Sequence, residues 1–343
     1  MASERFQNAL KQIPQPVPPV WFMRQAGRYH KHYQALRAKH SFMELCKEPE
    51  LAAEVAFGPV DDFDFDVSIL FSDLLFPLQA LGLGLEYGDS GPELEPKLDW
   101  SEMKKLKSVE DALPDLEFQR EAMKLTRERI PQDKSVIGFV GGPWTLFVYA
   151  VEGSHKGNLI DTKTATDLYR ALSDRLVPLL IENIRLQLDG GAEVVMIFDT
   201  AAGELAPRWF HDVVGDDLAK LFAAFPGRIG YYARGTTPAH LDDPRFGHGP
   251  LAGIGIDWRW DMPAALEIGQ KVGFTQGNFD QSLLFLPPEE FDKQLRSYLQ
   301  PMIDLSPEAR RGWVCGLGHG VLPRTPEENV RTFVRTVREV FNE

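Results

Sequence analysis

Short apolar, β-branched runs recur along the chain, at Val20–Met23, Val67–Phe71, Val136–Val140, Val194–Phe198, Arg228–Tyr232, Ala252–Ile256, Val272–Gln276 and Trp313–Leu317. They are four to five residues long without strict alternation of apolar and polar positions, which is how strands covered on both faces of a parallel sheet read. Most of the gaps between them carry helical spacing. Leu168, Leu172, Leu176, Leu179, Leu180, Ile184 and Leu188 recur at intervals of three and four, the stripe of an amphipathic helix. Thr325-Pro326-Glu327 reads as a helix start with proline at the first helical position, followed by an apolar face of Val330, Phe333, Val334, Val337 and Phe341. Strand then helix, eight times over, predicts an α/β fold: a single eight-stranded parallel β/α barrel of the TIM type, occupying residues 1–343 as one domain. An N-terminal helix ends at the proline-rich stretch Ile13 to Pro19, and LEYGDSGPELEPKLDW, in the long gap after the second strand, reads as an excursion from the barrel.

The polar residues that follow each run add chemistry to this frame. Arg24-Gln25-Ala26-Gly27-Arg28 follows the first run and Ser72-Asp73 the second. Gly141-Gly142-Pro143-Trp144 and Tyr149 follow the third, Asp199-Thr200 the fourth and Arg234 the fifth. Asp257-Trp258, Asn278 and His319 come after the last three. In a β/α barrel these ends converge on one face, where active sites are built.

Two fixed guanidiniums four residues apart, in a loop kept narrow by Ala26 and Gly27, suit bidentate capture of a carboxylate or phosphate; salt bridges to the many acidic side chains would use them equally well. Asp73 stands in an otherwise apolar stretch, so its carboxylate must find donors, either as a helix cap or in a site. The Gly-Gly-Pro turn permits close backbone approach, with Trp144 and Tyr149 lining a flat cavity or joining an aromatic core. In GLGHG the flanking glycines leave the His319 imidazole accessible.

Charge narrows the partners. With 37 Lys+Arg against 50 Asp+Glu the formal charge is −13, which disfavours a nucleic-acid partner. No apolar run approaches the ~20 residues of a membrane helix, and the polar N-terminus has no signal-peptide core. Two cysteines, Cys46 and Cys315, make no disulfide framework and suit a reducing, cytoplasmic setting. GxxxxGK[ST], GxGxxG, HExxH, CxxC and GxSxG are all absent, so nucleotide-phosphate, zinc-hydrolase and serine-hydrolase chemistries find no motif, and no metal site is expected.

PVWFMRQAGRY, ILFSDLLFPLQALG, GFVGGPWTLFVYAVEG, FDTAAG, GIDW, QGNFD and GLGHG together resemble the uroporphyrinogen decarboxylases. The resemblance runs from about Pro19 to the C-terminus; MRQAGR followed by FSD is its most specific part. It implies a β/α barrel enzyme of tetrapyrrole synthesis, usually a homodimer, that removes CO2 from the four acetates of uroporphyrinogen III without metal or organic cofactor. It also implies site roles. Arg24 and Arg28 match carboxylate-binding arginines, helped by Gln25 and the backbone at Ala26 and Gly27. Asp73 matches the carboxylate beside the pyrrole nitrogens, and Tyr149, Thr200 and His319 match polar substrate contacts. Asp73, Arg24 and Tyr149 are thus the expected catalytic set, with Arg24 the first candidate for proton delivery. The chain departs from the family in HKHY after the arginine motif, in threonine for serine at Thr200, and in Arg234 where lysine is frequent. Two other readings stand beside this one. Zinc-dependent corrinoid or thiol methyltransferases share the fold but need His and two Cys at strand ends, including an H-x-C that this chain lacks. A non-catalytic tetrapyrrole-binding protein would have no need of a fixed Asp73.

Overall fold

The computed structural model describes residues 2–88, 91–154, 157–246 and 251–342. Nine strands occur among them: β1 Val67–Ile69, β2 Gly84–Gly88, β3 Gly91–Glu95, β4 Ser135–Gly141, β5 Val195–Phe198, β6 Ile229–Tyr232, β7 Leu251–Gly255, β8 Phe274–Phe279 and β9 Trp313–Leu317. Seven form one curled, all-parallel sheet in the order β1-β4-β5-β6-β7-β8-β9, and the expected excursion is an antiparallel hairpin of β2 and β3. The sheet wraps around an apolar interior to which alternate residues contribute. Met196, Phe198, Tyr232, Phe274 and Val314 point inward, whereas Val195, Ile197, Tyr231 and Cys315 face the surrounding helices, as the two-residue period of a strand requires.

The eight expected runs therefore yield seven strands, and the exception is the first. Residues Val20–Met23 form no ladder; Val20 makes one parallel bridge to Cys315 and its carbonyl accepts the Asp66 N–H at 3.0 Å. The chain turns away at Met23, whose carbonyl is taken by the Val321 N–H, before a second pair can form. A smaller correction concerns β8. Val272 belongs to the turn that follows helix Met262–Gly269, with its N–H on the Gly269 carbonyl, so the strand starts at Phe274 and Asn278 lies within it.

The leucine stripe is helix Thr166–Asp189, burying Leu168, Leu172, Leu176, Leu179, Leu180 and Ile184 against the sheet. The C-terminal helix, Glu327–Phe341, begins one residue later than expected. Pro326 is its N-cap, and the Thr325 hydroxyl donates backward to the Leu322 carbonyl at 2.8 Å. One end of the sheet is closed by helix Glu4–Leu10. Phe6 enters the interior and meets the Phe274 ring at 6.2 Å. Ser3 donates to Ser135 at the start of β4, and Arg5 pairs with Asp66 just before β1. The strands' C-terminal ends lie away from this stopper. No helix among the described residues is long and apolar enough to cross a membrane.

Candidate active site

The loop after the first apolar run is held from below. Gln25, expected to touch a ligand, is instead buried, donating from Nε2 to the Val67 carbonyl at 3.0 Å and accepting the Phe22 N–H on Oε1 at 3.3 Å. Its own carbonyl accepts the Tyr29 hydroxyl at 2.7 Å. The side chain is a buttress that fastens the loop to β1. The N–H groups of Ala26 and Gly27 have no partner among the described residues.

Arg24 takes a left-handed backbone, φ 60°, uncommon for a side-chain-bearing residue and typical of functional loops. Its methylenes lie along Gly320, where an added Cβ would come within 2.5 Å of Arg24 Cδ. The glycine beside His319 is thus the floor on which Arg24 rests. Arg24 and Arg28 both remain exposed.

Asp73 leaves β1 four residues after its end, half-buried. One oxygen accepts the Leu75 N–H at 2.8 Å, a turn bond just ahead of helix Phe76–Ala80, whose N-cap is Leu75 and receives no side-chain bond. The carboxyl is therefore only partly occupied by local structure. Burial raises its pKa above the ordinary carboxylate range, and the Leu75 N–H, Tyr87 and the Arg24 guanidinium act against that rise. Tyr149, half-buried in helix Pro143–Glu152, belongs to the same cluster: burial raises its pKa, Arg24 lowers it and Asp73 raises it. Arg24, Asp73 and Tyr149 are thus brought together.

His319 is fixed from the next wall. Tyr232 donates its single hydroxyl proton to the Gly318 carbonyl at 2.7 Å, so at its 2.9 Å contact with His319 it must accept from Nδ1. The two rings lie nearly parallel, centroids 6.0 Å apart. Tyr232 sets the tautomer of neutral His319, putting the proton on Nδ1.

Other strand-end residues serve the scaffold. Asp199 is fully buried and accepts from Thr145 N–H at 3.0 Å, Thr145 Oγ1 at 2.6 Å and Tyr231 hydroxyl at 3.1 Å. The Gly-Gly-Pro turn is narrow because of this carboxylate: a Cβ on Gly142 would lie 2.3 Å from Asp199 Cγ. Trp144 lies in the core, its ring 5.5 Å from that of Tyr169. Asp257 is buried beneath Arg259 and the Gly235 N–H, and Asn278 uses its amide on the carbonyls of Asp257 and Trp260. Thr200 is half-buried after β5 and caps no helix: the following turn, Ala202–Glu204, starts from Ala201, whose N–H is held by Thr145 Oγ1 at 2.9 Å.

Two tyrosines of the site were missed in the sequence. Tyr87, on β2 of the excursion, packs its ring tilted against Phe42, centroids 4.5 Å apart, and brings its phenol beside the Asp73 carboxyl. Tyr232 is an inward strand residue with no polar motif around it. Among the described residues, four arginines have neither a carboxylate nor a hydrogen-bond partner for the guanidinium: Arg24, Arg28, Arg234 and Arg324. In a chain of net charge −13 most guanidiniums find an acceptor, yet these four stand in loops after Val20–Met23, β6 and β9. Metal ligands do not gather here: no three His, Cys, Asp or Glu converge among the described residues. The Cys315 thiol faces the helix layer, where burial raises its pKa well above the ordinary range.

Comparison with known proteins bears on this arrangement. The model of the family described as uroporphyrinogen decarboxylase (URO-D) matches residues 1–340. A uroporphyrinogen decarboxylase of Pelobacter propionicus is 34% identical over 353 residues, covering 98% of this chain and 98% of that protein. That of Geobacter sulfurreducens is 33% identical, covering 98% and 99%. Among solved structures, a methyltransferase from Methanosarcina mazei superposes with a TM-score of 0.79 at 21% identity, covering 98% of both chains, a likeness of fold.

Proposed function

The chain belongs to the uroporphyrinogen decarboxylase family, and from that premise we infer a carboxy-lyase that converts the four acetates of uroporphyrinogen III to methyls, giving coproporphyrinogen III. The observation that carries this reading at the site is the desolvated carboxyl of Asp73, with Arg24 and Tyr149 gathered about it.

An alkyl carboxylate loses CO2 only if the electron pair left behind has a sink. Protonating a pyrrole ring carbon makes the ring cationic; the pair moves into it as CO2 departs, leaving an exocyclic methylene. A proton added to that methylene gives the methyl, and loss of the first proton from the ring restores the pyrrole. One proton is consumed for each CO2 released. Asp73 serves the cationic stage. Burial withholds solvation from its anion in the free enzyme, and pyrrole N–H donors with the ring's positive charge return it, so the interaction is strongest where the barrier lies. Arg24 and Arg28 hold substrate carboxylates, Ala26 and Gly27 offer backbone N–H groups, and Thr200, Tyr149 and His319 supply polar contacts. Gln25 acts through the loop it fastens. Arg24 is the first candidate for proton delivery.

The arginines divide these tasks, and their variants should separate. Arg28→Ala is expected to raise KM about tenfold, the worth of one charge-assisted bond, with kcat little changed. Arg24→Ala should also lower kcat, by roughly a hundredfold if it delivers the proton. Steady-state kinetics checks this; equal effects confined to KM would reduce both to clamps.

The family reading extends the proposal to a cofactor-free homodimer acting in the cytoplasm as one barrel over residues 1–343, with Pro19–Met23 completing the wall between β9 and β1. A net charge of −13 supports the absence of nucleic-acid partners. Anaerobic incubation with uroporphyrinogen III in a strong chelator, with products separated by carboxylate number, tests it. Accumulation of the four-carboxylate product is expected. Activity lost on chelation and restored by zinc would overturn the cofactor-free reading.

A further inference from the structure

Arg234 is placed by the strand that precedes it. Tyr232 points into the interior of the sheet and Tyr231 outward, and Arg234 stands in the turn two residues beyond the end of β6. The peptide that joins it to Gly235 is held at both polar ends: Gly203 of the loop after β5 lies against the Arg234 carbonyl, and the Asp257 carboxylate holds the Gly235 N–H at 2.6 Å. The guanidinium stands 5.6 Å from the centre of the Trp258 ring.

A second guanidinium, that of Arg259, lies 4.3 Å from the same ring, but it is neutralised by Asp257 at 2.6 Å. Arg234 has no such partner among the described residues. It is half-buried, and an indole face steadies a cation without meeting its hydrogen-bonding capacity. A guanidinium held in place by packing with its donors unspent is a prepared acceptor site for a planar anion.

Its position gives the site a direction. β6 is the middle strand of the seven, and Arg24 and Arg28 follow the segment that meets the β9 edge. Arg24 and Arg234 thus reach toward the strand ends from opposite walls. The Tyr232 hydroxyl, which orients His319, lies within the electrostatic reach of both.

On the reading given above, the geometry points to Arg234, steadied on Trp258, as a substrate-carboxylate binding residue on the wall facing Arg24 and Arg28. A macrocycle with carboxylates on its whole periphery needs cations on more than one side, and Arg234 supplies the second. Its work is to hold the ring in register with Asp73, so it acts in binding and specificity.

The test titrates wild type, Arg234→Gln and Arg234→Lys with uroporphyrin III, the oxidised, fluorescent octacarboxylate, by fluorescence, alongside their thermal midpoints. Arg234→Gln should weaken binding about tenfold at an unchanged midpoint, with the binding less sensitive to salt than in wild type. Arg234→Lys should lose less, because it keeps the charge. In turnover of uroporphyrinogen III the loss should fall on KM. Unchanged porphyrin binding in Arg234→Gln, or a lysine variant no better than glutamine, overturns the assignment. A wild type that binds uroporphyrin but forms no coproporphyrinogen refutes the decarboxylase reading and leaves this result separately legible.

Discussion

Asp73→Asn is expected to lower turnover by at least about a hundredfold, the scale on which removal of one preorganised electrostatic partner is felt, while raising the thermal midpoint at neutral pH. Both effects have one origin. Burial raises the pKa of Asp73, so folding takes up the ionised form at a cost. Asparagine keeps an acceptor for the Leu75 N–H and removes that cost, but it cannot balance a cationic pyrrole. The sign with pH follows from linkage. A carboxyl whose folded pKa lies above its unfolded value binds more protons when folded, so its burden on stability grows as pH rises from the ordinary carboxylate range through the folded pKa. The advantage of the variant should be full above that window and vanish below it. Asp73→Glu keeps the charge but moves it by a methylene; a misplacement of ~1 Å can itself cost about a hundredfold. Steady-state kinetics and thermal melts across pH read both effects. An asparagine variant as active as wild type removes Asp73 from the mechanism.

The largest expected loss of stability belongs to a different carboxylate. Asp199→Ala leaves Thr145 N–H, Thr145 Oγ1 and the Tyr231 hydroxyl without their shared acceptor in a fully buried place. Unmet buried donors cost about 1–3 kcal/mol each, so a destabilisation of roughly 3 kcal/mol or more is expected by urea unfolding. Asp199→Asn should lose far less: one end still accepts from Thr145, and the other becomes a donor to the Tyr231 oxygen. The discriminating quantity is kcat/KM per folded molecule. If Asp199→Asn lost as much of it as Asp73→Asn, Asp199 would have to be moved from the scaffold to the chemistry.

These two aspartates show what the sequence could and could not distinguish. Asp199 directly follows an apolar run and Asp73 comes one residue after another, and a parallel strand covered on both faces makes such runs conspicuous, so the strand-end positions were legible. Which carboxylate is consumed by the scaffold was not. That depends on Thr145 and Tyr231 reaching Asp199 from neighbouring segments, and no local spacing records it. Gln25 shows the same limit: in an exposed arginine loop it reads as a ligand group, and only the nearness of the Val67 carbonyl reveals that its side chain fastens the loop. Tyr87 was hidden in the excursion, because its approach to Asp73 is set by packing on Phe42, a contact distant in sequence. The first run was legible as apolar and buried, but its single bridge at Val20 reflects the departure of the chain at Met23, which composition does not encode.

The helix that stoppers the sheet, Glu4–Leu10 with Phe6 in the interior, has a consequence for traffic. Among the described residues this helix fills one end of the sheet, so the proposed function has substrate entering, and carbon dioxide and finished product leaving, at the opposite strand ends. A macrocycle with four acetates can then present each of them to one fixed carboxylate only by turning at that doorway or by leaving and returning. Successive losses of CO2 strip negative charge from the guest, so if the guanidiniums hold it as proposed, its grip loosens with each round. On that reading the doorway sorts by charge, retaining the most carboxylated species and releasing the least.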